Sequence, residues 1–353
     1  MRNIIFEGKY IGKGCEDMQK RIICICTVVL LVFSIFGCAQ TAEDTLTEEM
    51  ETEETENTEI ESEEEADIEG TDIEDVETAI TEVALIAESD VYAEQWLDGN
   101  GYVSGITVWS VMQEDIDRIA DMENLDSLTL MVSGDNIDLS PLGRLPHLRE
   151  LTIFFAGGTD DLDLSFIKEL RYLTEIYFDK CTSLENLSLF EDMRCLKDLH
   201  VGYVDDVDLN CLSGCVNLES INICGGHIRN VKGMSDLMSL HSLGLFELAP
   251  GEEPIMNDLG QISNLKGLES IQLRFVNVSD AGLLSDLPNL RHIFLVGTGI
   301  SDIESLNNLE RIESLEIFGN ESERVKEQAE IYFKDVEKIT VTEDIPNNLR
   351  NYQ

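Results

Sequence analysis

Five histidines, His147, His200, His227, His241 and His292, and nine cysteines are the side chains of this 353-residue chain best suited to catalysis or metal binding. Their spacing builds neither. No Gly-x-Ser-x-Gly elbow, phosphate-binding glycine loop or His-Glu-x-x-His helix occurs, so no nucleophile, phosphate cradle or catalytic zinc is encoded locally. Cys224-Gly-Gly-His227 offers one Cys/His pair without the second pair that a tetrahedral zinc site needs. After residue 38 the remaining cysteines are Cys181, Cys195, Cys211, Cys215 and Cys224, an odd set that cannot pair completely, although Cys211 and Cys215 are near enough for a local bridge. Carboxylates cluster in Asp160-Asp161-Leu162-Asp163 and Asp205-Asp206-Val207-Asp208, which suits a hard cation, but no glycine-containing Asp-x-Asp-x-Asp loop follows. The sequence therefore predicts no enzyme, no cofactor and no metal.

Recognition is the chemistry that remains. Trp109, Phe154, Tyr177, His200, Phe246, Arg274, Phe294 and Phe318 recur at positions that a series of short strands would project to one side, and Phe155, Tyr203 and Phe275 stand at the strand edges. Aromatic rings and arginine are the side chains that dominate binding energetics, and a dense exposed group of them marks a ligand surface. The alternative is that the rings stack on one another and shield the strands, leaving no partner.

The elements that position these residues follow from an apolar register. Leu139, Leu142, Leu145, Leu148, Leu151 and Ile153 form one copy, and Leu164, Ile167, Leu170, Leu173, Ile176 and Phe178 form the next. The register continues to Ile317 with a period near 22 residues and, with an opening copy at Ile116–Leu130, makes nine copies. Spacings of three suit a tight 3₁₀-like turn with one apolar edge, and the closing Leu-x-x-Leu-x-Leu becomes the alternation of a short strand. One copy cannot bury its apolar side alone, so copies must stack, strands in parallel on one face and return segments on the other.

This pattern resembles the leucine-rich repeat family, and its short, strict spacing is similar to the bacterial internalin type; Ile300-Ser-Asp-Ile303-Glu-Ser-Leu306-Asn-Asn-Leu309 is the nearest match. The resemblance covers about residues 103 to 341. It implies an α/β solenoid with a curved parallel sheet on the concave face, irregular or 3₁₀ return segments on the convex face, and a protein, peptide or glycan partner bound on the concave face. The family's asparagine, eight residues after the first leucine of the strand motif, appears only as Asn320; elsewhere that site is Ser133, Ala156, Cys181, Val204, Gly226, Val276 or Thr298. A different series is present. Asp115, Asp138, Asp163, Asn186, Asp208, Asn230, Asp258, Asp280 and Asp302 each precede the first apolar position of a return segment, and Asp and Asn are preferred caps for free backbone N–H groups.

The ends of the chain assign the rest. Lys20 and Arg21 precede an apolar run from Ile22 to Phe36, and Ile35-Phe36-Gly37-Cys38 closes it, which reads as a secretory signal over 1–37 with Met18 as an alternative start. The cysteine after Gly37 resembles a bacterial lipobox, which implies lipidation of Cys38 and anchorage at the outer face of the cell membrane. Residues 38–71 read as an acidic stalk: from Glu43 to Asp75 there are 18 acidic residues, and no Lys or Arg occurs between Arg21 and Arg118. Residues 72–102 are expected to form an N-terminal cap whose helix runs to about Glu94, 103–320 the repeats, 321–345 a helix-and-strand cap, and 346–353 a loose tail. The longest repeat carries an insertion, Ala249-Pro-Gly-Glu-Glu-Pro254, which follows Phe246 and is either a rim to the aromatic face or simple loop drift.

Formal charge is −47, and residues 118 to 353 alone carry 41 acidic and 19 basic side chains. So anionic a surface excludes nucleic acid as a partner and leaves cationic peptides, basic proteins and neutral glycans. The expectation is a monomeric, lipid-anchored binding protein; the competing one is a self-associating envelope component.

Overall fold

The structure is a computed structural model that describes residues 93–349 except 134–135, 157–161, 182–186, 248–258, 277, 279–280, 321 and 347–348. The chain divides into two compact units, Met1–Asp72 and Ile73–Gln353, and every described residue belongs to the second. The signal segment, Cys38, the acidic stalk, residues 72–92 and the insertion at Ala249–Pro254 lie outside the described residues.

The three-residue leucine spacing has a direct backbone cause. In the repeat that follows Ser270–Arg274, Leu284 N donates to Ala281 O at 3.0 Å, Leu287 N to Leu284 O at 3.1 Å and Leu290 N to Leu287 O at 3.1 Å, so each apolar residue is hydrogen-bonded to the one before it. Bonds of this i→i+3 kind eclipse residues three apart and place one leucine above another. Eight short 3₁₀ segments of this type occur among the described residues, from Ser140–Arg144 to Glu304–Asn308.

Each return segment leads into a strand. The strands are β1 Ala93–Leu97, β2 Val103–Val108, β3 Ser127–Ser133, β4 Glu150–Ala156, β5 Glu175–Asp179, β6 Asp198–Asp208, β7 Ser220–Arg229, β8 Ser242–Glu247, β9 Ser270–Arg274, β10 His292–Val296, β11 Ser314–Phe318 and β12 Lys338–Thr342. They form one twelve-stranded sheet in chain order, parallel from β2 to β12. Register is held repeat to repeat: Leu151 stands opposite Ile176, Ile176 opposite Leu199 and Leu199 opposite Ile221. Leucine-rich repeat solenoid is the fold this describes.

The repeats are joined by backbone as well as by leucine. Just before each of the strands β3 to β10 one carbonyl accepts two N–H groups from the next repeat: Arg149 O takes Thr174 N at 2.8 Å and Glu175 N at 3.0 Å, and Lys197 O takes Glu219 N at 2.7 Å and Ser220 N at 2.9 Å. Asparagine adds rungs at a position other than the family's. Asn217 Nδ2 donates to Arg194 O and Asn289 Nδ2 to Lys266 O, both at 2.7 Å. The leucine positions between the two layers fuse into one continuous core, in which residues such as Leu142, Leu173, Leu243 and Leu306 are fully buried. At such sites truncation to alanine costs about 2–5 kcal/mol.

The two ends differ from the repeats. Ala93–Leu97 is a strand antiparallel to β2, so the expected helix does not extend to Glu94; the chain reverses at Asp98–Gly101, where Asp98 Oδ1 accepts from Asn100 N and Tyr102 N. The first return segment is an α-helix, α1 Gln113–Ile119, which buries Ile116 and Ile119. At the other end α2, Glu323–Tyr332, begins at Ser322, whose hydroxyl accepts from Val325 N, and its Val325 and Ala329 are buried. In β12, the edge strand of the described sheet, Ile339 pairs with Leu315 and Val341 with Ile317 in register, yet Ile339 is 37% exposed. Leu349, assigned by sequence to the tail, is buried. Among the described residues no helix is long and apolar enough to cross a membrane.

Candidate binding face

Alternation along each strand sends one set of side chains into the core and the other to the open side of the sheet. On β4, Leu151 and Ile153 point inward, while Glu150, Thr152 and Phe154 point out. The same register carried across the sheet forms two outward rows that bear the rings. The first runs through Thr152, Tyr177, His200, Asn222, Gly244, Gln272, Phe294 and Glu316; the second includes Met131, Phe154 and Asp179, then Cys224, Phe246, Arg274, Val296 and Phe318.

The aromatic side chains do not form one unbroken column. They gather into two groups. Over β4–β6, Tyr177 stacks on His200 with ring centres 4.1 Å apart and planes 7° apart, and Phe154 leans on Tyr177 at 5.7 Å. Over β8–β11, the Arg274 guanidinium lies 4.5 Å from the centre of Phe246 and 5.4 Å from that of Phe294, and Phe294 meets Phe318 at 5.5 Å. Between them stand Asn222 and Gly244, and the Phe246 ring turns into the space above Gly244: a Cβ there would lie 3.4 Å from Phe246 Cζ.

Mutual stacking reduces exposure. Phe154 is 8% exposed, and Trp109, Tyr177, His200, Phe246, Arg274, Phe294 and Phe318 are half-buried. Phe155 is a correction to the sequence reading. It continues the alternation of β4 into the core, is 3% exposed, and meets Phe178 edge-on at 5.8 Å. Tyr203 and Phe275, half-buried, hold φ near +64° and +57°, at the turn position that Gly297 and Gly319 occupy in later repeats. Phe275 spends its ring on the neighbouring repeat, since a Cβ on Gly297 would lie 2.7 Å from Phe275 Cδ1.

Electrostatics divides the two groups further. Outward from β4, β5 and β6, Glu150, Glu175 and Asp198 stand opposite one another in register. Desolvation by the surrounding sheet, then the charges of Glu150 and Asp198, push Glu175 up to about 7. Asp198 is raised by desolvation and by Glu219, and Asp179 by desolvation. Burial holds His200 down to about 4, so its ring is neutral at physiological pH. Lys197 is drawn to Glu219 at 2.9 Å.

The capping series falls into three kinds. Asp138, Asp163, Asp208 and Asp302 each accept from the backbone N–H two residues on, at 2.9, 2.8, 2.9 and 2.9 Å. Hydrogen bonds lower three of these carboxyls: the Ser140 hydroxyl and then its N–H act on Asp138, the Ser165 N–H and then its hydroxyl on Asp163, and the Glu304 N–H and then the Gln328 amide on Asp302. Asp115 departs in position only: it lies inside α1, and its Oδ2 caps the free N–H of Met112 at 2.9 Å, one turn back. Asn230 departs too: it adopts φ +56°, caps nothing with its side chain, and donates instead to Asp208 Oδ2 at 2.9 Å. Asn186, Asp258 and Asp280 lie outside the described residues.

Three of the described cysteines, Cys181, Cys215 and Cys224, are buried. Among the described residues Cys181, Cys195, Cys211, Cys215 and Cys224 form no disulfide, and Cys215 Sγ donates to Phe190 O in the preceding repeat at 3.0 Å. Burial pushes Cys215 and Cys224 up to about 11, which keeps both as unreactive thiols. Among the described residues no group of three His, Cys, Asp or Glu side chains is placed to hold a metal ion.

No family model matches the chain, and a search of curated proteins finds no relative. Among solved structures it is similar to an internalin C2 of Listeria monocytogenes, at 21% identity and a TM-score of 0.40 over 66% of this chain and 89% of that one. It is also similar to a second internalin of that organism, at 19% identity and a TM-score of 0.44 over 79% of this chain and 92% of that one.

Proposed function

We propose that this chain is a surface-displayed binding protein whose open sheet face takes a protein, peptide or glycan partner without chemical conversion. The observation that carries the reading is the pair of ring groups on that face, one with an arginine held over two phenylalanines. Rings fixed by their neighbours lose little conformational freedom on binding, so the area they present is converted into affinity at low entropic cost. The anchor belongs to the same reading: a lipid on Cys38 and an acidic stalk would hold the solenoid away from the membrane. Replacement of Cys38 by Ser is expected to move the protein from the membrane fraction to the soluble fraction and abolish labelling by a palmitate probe. Unchanged fractionation would remove the anchor.

The test of binding passes cell extracts over immobilised full-length chain. A component retained by wild type should be lost by the Tyr177→Ser/Phe294→Ser variant and kept by Tyr172→Ser/Met238→Ser, which alters apolar residues that are 62% and 63% exposed outside the strands. The structural alternative has its own signature in sedimentation: concentration-dependent self-assembly, with retention indifferent to the open-face changes.

A further inference from the structure

On β5 the outward side chains run Glu175, Tyr177, Asp179, so one ring is bracketed along its own strand by two carboxylates, each about 7 Å from it along the backbone. The neighbour on β6 repeats half of this with Asp198 and His200, and Glu150 continues the carboxylate row on β4. Like charges directly opposite on adjacent strands are unfavourable, and this row places three together about 4.8 Å apart in strand spacing. The basic groups acting on the row and on Asp179 are Lys197, Lys180 and His241; Lys197 is bound to Glu219 at 2.9 Å, Lys180 acts on Asp179 through its charge and its backbone N–H, and His241 acts on Asp198 through its charge. His200 adds no positive charge, since burial keeps it neutral. The Glu175 carboxyl is raised by desolvation first, and the charges of Glu150 and Asp198 raise it further.

Elsewhere on this sheet the chain shows how a cation meets its rings, with the Arg274 guanidinium 4.5 Å from the centre of Phe246. Cations over aromatic faces are attracted by the ring quadrupole, and flanking carboxylates add direct charge pairing.

We propose that the face over β4–β6 is a docking site for a cationic peptide segment, one arginine or lysine of which lies against the Tyr177–His200 stack and is held by the carboxylates of Glu175, Asp198 and Asp179. This rests on the reading of the open face as the recognition surface and adds the partner's chemistry. The net negative charge of the repeats steers such a segment toward the face, and the two rows give it a place to stop.

The probe is a fluorescein-labelled nona-arginine peptide, with nona-glutamate as its counterpart, titrated by anisotropy into the full-length chain at physiological ionic strength. Two double variants, compared at pH 8 where Glu175 is ionised, each remove two carboxylates: Glu175→Gln/Asp198→Asn on the face, and Asp117→Asn/Glu330→Gln on exposed positions of α1 and α2. The first is expected to weaken nona-arginine binding about tenfold or more and the second less than about twofold, with nona-glutamate unbound throughout. Tyr177→Leu, checked by thermal melting for an intact fold, weakens binding while changing no charge. Wild-type affinity rises between pH 6 and pH 8 as Glu175 ionises, and the Glu175→Gln response is flatter. Equal losses in the two double variants would show a diffuse field and overturn the site. If that happens while an extract component still depends on Tyr177 and Phe294, the cationic specificity falls and open-face recognition stands; indifference of both probes to every open-face change removes both.

Discussion

Adjacent phenylalanines on β4 face opposite sides of one sheet: Phe154 lies against Tyr177, and Phe155 lies in the core against Phe178. Phe155→Ala should therefore cost about 3–5 kcal/mol of stability in urea denaturation, while Phe294→Ser, which loses ring and cation contacts at a half-buried site, should cost about 1–2 kcal/mol. The sequence pattern places Phe155 at a strand edge of the open face, yet β4 pairs with β3 through Ala156, and alternation alone then turns Phe155 inward. Charge was less legible than side. Glu150, Glu175 and Asp198 lie about 24 residues apart in sequence, and only the register brings them opposite one another. The Glu175 carboxyl titrates higher in the folded chain than its ordinary 4.5, so ionisation opposes folding. That penalty is absent below the unfolded value, grows as pH rises toward 7, and is constant above it. Glu175→Gln should accordingly stabilise the protein at pH 8, by about 1 kcal/mol or less because solvent screens an exposed carboxylate, and should leave stability unchanged at pH 4. A gain at acid pH that vanishes at pH 8 would reverse the sign.

At the scale of elements, spacing carried most of the information because the spacing is a hydrogen-bond pattern. Leucines three apart are the residues linked by i→i+3 bonds, and leucines two apart are the strand residues on one side. Irregularities were invisible to that pattern. β6 and β7 run on past their turns and pair again from Val204–Gly225 to Asp208–Arg229, with a register shift between Val201 and Val204. The extension brings chains close: a Cβ on Gly225 would sit 2.3 Å from Val207 Cγ2 and 2.6 Å from Val204 O. Gly225→Val should lower stability by about 2–4 kcal/mol and loosen β6, read as faster amide exchange at Val204 and Val207. Unchanged melting and exchange would mean that the neighbouring strand gives way freely. β1 escaped the sequence reading for a related reason: it pairs antiparallel to the first repeat strand and bears no leucine register, since its residues Ala93–Leu97 need only satisfy the free edge of β2.

Over the whole molecule, each repeat supplies the next with a core wall, a paired carbonyl and a strand edge, so the sheet is continuous from β1 to β12 and its open face is one surface. Two ring groups on that surface, separated by Asn222 and Gly244, are unlike each other in charge: one carries its own arginine and the other is ringed by carboxylates. A partner spanning both would be read at two points about four strands apart, a separation set by the number of repeats. The central claim is that recognition lives on this face. It is tested most directly by the dissociation constant of an extract component, purified on the wild-type chain, for the Tyr177→Ser/Phe294→Ser variant beside the Tyr172→Ser/Met238→Ser variant, both confirmed folded by melting. A rise of about tenfold or more in the first and less than about twofold in the second is the predicted result; equal affinities of wild type and the Tyr177→Ser/Phe294→Ser variant would contradict it.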